Sequence, residues 1–153
     1  MRVEERGAVV NHVGLCTRDV EAALRFYVDL LEFELERDLK LPDGATADLL
    51  GVEPPVGLRA VYLRLGEVVL ELLHYDRPGN PLPATRVMNE PGLTHLSICV
   101  QDLGAVVARV DEHGGTVVRD LLPMAVMVAD PDGQILELLP MSYRQRIDSP
   151  GEA

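Results

Sequence analysis

Two histidines and two glutamates recur at matched places along this 153-residue chain. His12 opens the stretch His12-Val13-Gly14-Leu15-Cys16-Thr17-Arg18-Asp19. His95 opens His95-Leu96-Ser97-Ile98-Cys99-Val100-Gln101-Asp102, 83 positions later. His, Cys and Asp fall in register, with apolar residues at alternate positions. Glu71 lies in Leu70-Glu71-Leu72-Leu73, and Glu137 in the identical run Leu136-Glu137-Leu138-Leu139. Imidazole nitrogens and carboxylate oxygens are donors to divalent metals and the usual groups for moving protons. Taken alone, each has a plain structural explanation. A strand histidine is more often a satisfied core residue than a ligand, and a glutamate between leucines can simply face solvent. Four such residues in matched positions of a repeat are hard to explain as separate accidents. The surviving structural alternative is a degenerate scaffold whose site is dead.

The elements that must position them also repeat. Each His-containing segment alternates as a strand and ends at an Asp suited to cap a helix. Val20, Ala23, Leu24, Tyr27, Leu30 and Leu31 follow Asp19. Val106, Val107 and Val110 follow Asp102. Both sets have the spacing of a helix with one buried face. Strands are expected near 9–16, 32–38, 58–65 and 67–75, and again near 93–100, 115–119, 124–129 and 134–139. Turns at Leu65-Gly66-Glu67 and Asp130-Pro131-Asp132-Gly133 close the last hairpin of each half. The order strand, helix, three strands is therefore written twice. Module one covers about 9–75, a Pro/Gly/Asn-rich linker 76–91, module two about 92–140, and a polar tail 141–153, frayed from Tyr143 onward. Residues 39–57 form a Pro/Gly-containing insert in module one, of a kind that often serves as a lid or wall. Module two is terse between Val118 and Met124.

Strand alternation assigns faces. His12, Gly14 and Cys16 share one face, and Val13 and Leu15 the other. His95, Ser97 and Cys99 are separated in the same way from Leu96, Ile98 and Val100. Glu71 lies with Val69 and Leu73, and Glu137 with Ile135 and Leu139. Helices are expected on the aliphatic faces, which leaves the His and Glu residues opposite. Pseudo-symmetry between the halves would bring these four ligand-type side chains toward one point.

Composition limits the alternatives. Apolar residues make up 47% and charged residues 25%, values of an ordinary globular chain. The net charge of −11 argues against nucleic-acid partners and anionic membranes, which require clustered Lys and Arg. The N-terminal Met1-Arg2-Val3-Glu4-Glu5-Arg6 lacks the features of a signal peptide. No apolar run approaches the ~20 residues of a membrane span. Two distant cysteines make no disulfide framework, and a cytoplasmic setting is the expectation. Cys16 and Cys99 read as small buried hydrophobes, His74 as a surface residue, and His113 before Gly114-Gly115 as a helix end. Tyr62 and Tyr75 read as packing residues that could also line a pocket. Arg59, Arg64, Arg77 and Arg86 read as scattered and solvated, with no basic cluster for a glutathione or CoA phosphate.

At these residues the chain resembles the vicinal oxygen chelate superfamily, which includes glyoxalase I, methylmalonyl-CoA epimerase, extradiol dioxygenases, and fosfomycin and bleomycin resistance proteins. The resemblance covers about residues 9–140. It rests on His12-Val13-Gly14, on Gly92-Leu93-Thr94-His95 and on Asp130-Pro131-Asp132-Gly133-Gln134-Ile135-Leu136-Glu137. It implies one α+β domain, two tandem βαβββ modules forming a curled mixed sheet around a metal site. By the same resemblance His12, Glu71, His95 and Glu137 match the metal ligands, and a homodimer is expected. Members differ in whether the ligands meet within one chain or across a dimer interface.

Two His and one carboxylate would suit an Fe(II) oxygenase. Glu71 adds a fourth ligand and leaves an octahedral ion two positions for a chelating substrate. The resemblance therefore implies a divalent-metal-dependent lyase or isomerase/epimerase of glyoxalase type, acting on a small carbonyl compound through a metal-bound enolate. The ion would be Co, Ni, Mn, Zn or Fe. Glu137 is the first candidate base, because its counterpart in glyoxalase I can leave the metal. Glu71 is the second, and Glu53 in the insert is a loose possibility. The alternatives are an Fe(II) extradiol-type dioxygenase and a metal-free antibiotic-binding resistance protein. Thiol transfer to fosfomycin ranks lower, because its phosphonate calls for a cationic pocket.

Overall fold

A computed structural model describes residues 7–79 and 87–148. The N-terminal six residues, part of the expected linker including Arg86, and the end of the tail lie outside them. The repeat is realised as two four-stranded mixed sheets. The first contains β1 (Val13–Cys16), β2 (Glu34–Lys40), β3 (Arg59–Leu65) and β4 (Val68–His74), in the order β1-β4-β3-β2. The second contains β5 (His95–Val100), β6 (Thr116–Leu121), β7 (Ala125–Ala129) and β8 (Ile135–Pro140), in the order β5-β8-β7-β6. In each, the first strand runs parallel to the last and the other pairs are antiparallel. A parallel pair needs a long crossover, and each module supplies it through its helix and middle strands.

The helices are α1 (Val20–Leu24), continued by a π-helical turn over Arg25–Leu30, then α2 (Asp43–Leu50), α3 (Leu103–Val107) and α4 (Met141–Asp148). Asp102 caps α3 as its spacing predicts, with Oδ1 accepting the Ala105 N–H at 2.9 Å. A short 3-10 turn over Asp111–His113 ends at Gly114 with φ 78°, so His113 does stand at a helix end. The tail is more ordered than its polarity suggests: Met141–Asp148 is helical rather than frayed from Tyr143. It follows directly on β8, whose last residues are held by β5, so the chain enters the helix from a fixed end.

The chain divides into two compact units. One comprises Met1–Val20 with Phe33–Pro78, the other Glu21–Glu32 with Gly79–Ala153. In the first unit, Leu63 and Leu70, and Val61 and Leu72, are opposed pairs on the aliphatic face of the sheet, and all are buried. The 39–57 insert is not a bare loop. It contains α2, whose Ala47 packs with Val56 and Leu58 against Leu41, Leu73 and Tyr75. Asp43 Oδ1 accepts the N–H groups of Val56 and Gly57, each at 3.1 Å, and so ties the start of α2 to the entry of β3.

In the second unit, Val126 opposes Leu138 and Val128 opposes Leu136, again fully buried. The helix inherited from the first half contributes Phe26 and Tyr27, both wholly buried. Phe26 lies against Gly115, where an added Cβ would come within 2.4 Å of its ring. The Tyr27 hydroxyl donates to Asp130 Oδ2 at 2.8 Å. Asp130 Oδ1 accepts the N–H groups of Asp132 and Gln134 and thereby shapes the hairpin turn.

Candidate functional site

Each unit brings one histidine to one glutamate. Glu71 on β4 lies between Gly14 on β1 and Tyr62 on β3. His12 immediately precedes β1 on the same face, and its Nε2 reaches Glu71 Oε2 at 2.9 Å. The other oxygen, Oε1, accepts the Tyr62 hydroxyl at 2.5 Å. The ring of Tyr62 meets that of His12 edge to face, with centroids 6.0 Å apart. Glu71 is 8% exposed, so this is a buried carboxylate with both oxygens engaged. The hydrogen bond to Glu71, then burial and the Glu71 charge, push the Tyr62 hydroxyl pKa up.

The second unit repeats the arrangement more loosely. Glu137 on β8 lies between Ser97 on β5 and Met127 on β7. Ser97 Oγ donates to Glu137 Oε2 at 2.7 Å, and His95 Nε2 stands 3.8 Å from the same oxygen. A hydroxyl therefore holds each glutamate, but from opposite neighbours. It comes from the antiparallel strand in the first unit and from the parallel strand in the second, where the other module has Met127 and Gly14 respectively. The residue before each histidine holds its ring: Asn11 Nδ2 lies 2.8 Å from His12 Nδ1, and Thr94 Oγ1 lies 2.8 Å from His95 Nδ1. That contact fixes the ring and directs Nε2 toward the glutamate.

Strand alternation alone could not identify Tyr62, Ser97, Asn11 and Thr94 as partners. The signal that would have found them is the cross-strand register, together with the polar residue preceding each histidine.

The cysteines depart from expectation. Cys16 is exposed and Cys99 partly so, rather than buried. They alternate onto the faces of His12 and His95, not onto the aliphatic faces that form the cores. Burial, followed by the charges of Cys16 and Glu71, pushes the Tyr75 hydroxyl pKa up. His74 contacts the Thr17 carbonyl through Nδ1 at 3.2 Å, away from Glu71. Of the scattered arginines, Arg59 and Arg64 pair with Asp38 and Glu36, and Arg77 donates to the carbonyls of Glu53 and Pro55. A cavity of about 370 Å³ beside α2 is lined by Asp43, Asp48, Glu53 and their neighbours, but by none of the four site residues. Leu73, against which the insert packs, shares the Glu71 face of β4, so the insert walls one end of that face.

The donor chemistry suits a divalent ion. Two ligands at ordinary metal–N and metal–O distances, set at right angles, stand about 3 Å apart, and His12 Nε2 and Glu71 Oε2 are 2.9 Å apart. Among the described residues, no three His, Cys, Asp or Glu side chains gather as one metal-holding group. What each unit presents is a His–Glu pair.

Comparison with known proteins agrees with the repeated sheets. The model of the Glyoxalase/Bleomycin resistance protein/Dioxygenase superfamily matches residues 9–138. A probable lactoylglutathione lyase from Synechocystis sp. is 28% identical over 88% of this chain and 96% of its own length. An ethylmalonyl-CoA/methylmalonyl-CoA epimerase from Cereibacter sphaeroides is 30% identical over 71% of this chain and 72% of its own. Among solved structures, a glyoxalase family protein from Bacillus cereus superposes with a TM-score of 0.77 over 92% of this chain and 98% of its own, at 15% identity, and so shares the fold. With two βαβββ modules, a His–Glu pair in each and a family match across nearly the whole chain, this protein belongs to the Glyoxalase/Bleomycin resistance protein/Dioxygenase superfamily.

Proposed function

We propose that the protein is a divalent-metal-dependent lyase or isomerase acting on a small carbonyl compound, with His12, Glu71, His95 and Glu137 as the ligands. The observation that carries this reading is the repetition of a His–Glu pair on matched strands, each glutamate held by a hydroxyl. Relatives named as a lyase and an epimerase support the class of reaction. When bound, the ion would polarise the substrate carbonyl and stabilise negative charge on its oxygen.

The two glutamates suit different tasks. Glu71 has Tyr62 on one oxygen and His12 on the other, which fits a fixed ligand. Glu137 takes Ser97 and His95 on the same oxygen, Oε2. Its Oε1 accepts no hydrogen bond among the described residues, which fits a base that removes the proton next to the carbonyl and returns it elsewhere. His12 and His95 act as oriented nitrogen donors, steadied through Nδ1 by Asn11 and Thr94. The chain is expected to act as a homodimer.

Elemental analysis of protein purified without a chelating tag tests the reading. A divalent ion in stoichiometric amount, lost in folded His95→Ala and Glu137→Ala, is the expected result. Cobalt, nickel, manganese or zinc would direct assays to proton transfer, and iron to oxygenase chemistry. A wild-type protein that is free of metal and takes up none would overturn the proposal.

A further inference from the structure

One edge strand of each sheet, β2 in the first and β6 in the second, carries a bulge, and the two bulges have the same consequence. In β2 the register slips between Leu35 and Arg37, with Glu36 as the extra residue. In β6 it slips between Val117 and Arg119, with Val118 as the extra residue. Beyond the slip, Arg37 opposes Tyr62, which opposes Glu71, which opposes Gly14. Likewise Arg119 opposes Met127, which opposes Glu137, which opposes Ser97. Directly opposed residues share a face of the sheet. Each glutamate of the site therefore has an arginine in its own cross-strand row, two strands away, or about 10 Å between backbones. Without the bulges, Glu36 would oppose Tyr62 and Val118 would oppose Met127, and both arginines would turn to the other face. The device is written twice in sequence, as Arg37-Asp38-Leu39 and Arg119-Asp120-Leu121.

The neighbouring charges are already engaged. Asp38 holds Arg59 and Glu36 holds Arg64. Among the described residues, neither Arg37 nor Arg119 has an ion-pair partner, and both are exposed. Arg37 stands directly opposite Tyr62, whose hydroxyl donates to Glu71. Edge strands are commonly guarded by charges and bulges. That accounts for a charge on β2 and β6, but Glu36 would serve it as well as Arg37. It does not account for a cation being set in the glutamate row in both modules.

We propose that Arg37 in the Glu71 row and Arg119 in the Glu137 row are each specificity-determining residues able to bind a substrate carboxylate, which makes the substrate class small carbonyl acids rather than neutral carbonyl compounds. This rests on the proposed function, which identifies the two glutamate rows as the site. A guanidinium offers two parallel N–H bonds to a carboxylate and is carried on a long, flexible side chain. In a chain of net charge −11, an unpaired cation is a place where an anion can be held.

The test reads the guanidinium groups directly, by NMR of arginine Nε–Hε in the 15N-labelled protein as purified. The Arg37 and Arg119 resonances are identified by their loss in Arg37→Lys and Arg119→Lys. The probes are malonate, its neutral diamide malonamide, and methylphosphonate. Saturable shifts at Arg37 and Arg119 with malonate are expected, with none from malonamide and none at the paired Arg59 and Arg64. Absence of a saturable shift at both arginines, equal shifts at all arginines, or tighter binding of methylphosphonate than of malonate would overturn the proposal. Metal content of the same sample separates the two readings. Arginine shifts in a protein that takes up no metal uphold carboxylate binding and sink the enzyme, and metal uptake without shifts does the reverse.

Discussion

Tyr27 and Asp130 stand 103 positions apart in sequence, yet the tyrosine hydroxyl donates to the aspartate Oδ2 at 2.8 Å inside the second unit. Both are buried, and the bond joins the helix after β1 to the turn between β7 and β8. Removing the hydroxyl in Tyr27→Phe leaves one carboxylate oxygen without its donor. A hydrogen bond to a charged group contributes about 1.5–3 kcal/mol, so a loss of about that size is expected in urea unfolding. A variant as stable as the wild type would show the bond to be dispensable.

The same pair sets a pH dependence. Burial pushes the Asp130 carboxyl pKa up, against the lowering effect of the Tyr27 hydroxyl and the Gln134 and Asp132 N–H groups. A carboxyl whose pKa is higher folded than unfolded binds its proton more tightly in the native state. Its contribution to stability is complete below the ordinary carboxyl pKa, about 3.9, and is lost as pH rises through the raised value. Stability of the wild type relative to Asp130→Asn is therefore expected to fall as pH rises across that window. Unfolding free energies measured at several pH values check the sign, and a difference that rises with pH would refute it.

The hydroxyl partners of the glutamates carry a separate expectation, conditional on metal binding. Tyr62→Phe removes the donor to Glu71 Oε1, and Ser97→Ala removes the donor to Glu137 Oε2. Loss of a group that orients a ligand typically costs 10–100-fold in metal affinity. Calorimetric titration of each variant with a divalent ion should show weakening of about that order, and unchanged affinity would remove both hydroxyls from the site.

Two glycines should respond differently to alanine. At Gly115 a Cβ would stand 2.4 Å from Phe26, 2.9 Å from the Ala129 carbonyl oxygen and 2.9 Å from Val110. Phe26 is wholly buried and has little room to yield. Overpacking of this kind costs about 1–3 kcal/mol. At Gly14 the nearest atom is Leu73 Cδ1 at 3.6 Å, an ordinary contact. Gly115→Ala should therefore unfold at clearly lower urea than the wild type while Gly14→Ala changes little.

The repeated strands, the faces of His12, Glu71, His95 and Glu137, and the Asp102 cap were legible in the sequence, because alternation, helical spacing and capping are local properties of the chain. Burial was less legible. Residue type alone assigns Cys16 and Cys99 to the core, but strand parity places them with the histidines. The terminal helix after β8 was also missed, since its polar composition hides an anchor that lies in the sheet before it. Everything that depends on which strands pair, and in what register, was decided by the tertiary structure. Glu71 finds its hydroxyl on β3 and Glu137 finds one on β5, although the two glutamates occupy identical four-residue runs. The bulges at Glu36 and Val118 set Arg37 and Arg119 in the glutamate rows. Tyr27 meets Asp130 only because a helix from the first half folds into the second unit. The sequence by itself determined what each strand offers on each face, through the two-residue period of the backbone. Hydrogen bonding between distant strands determined which of those offerings meet.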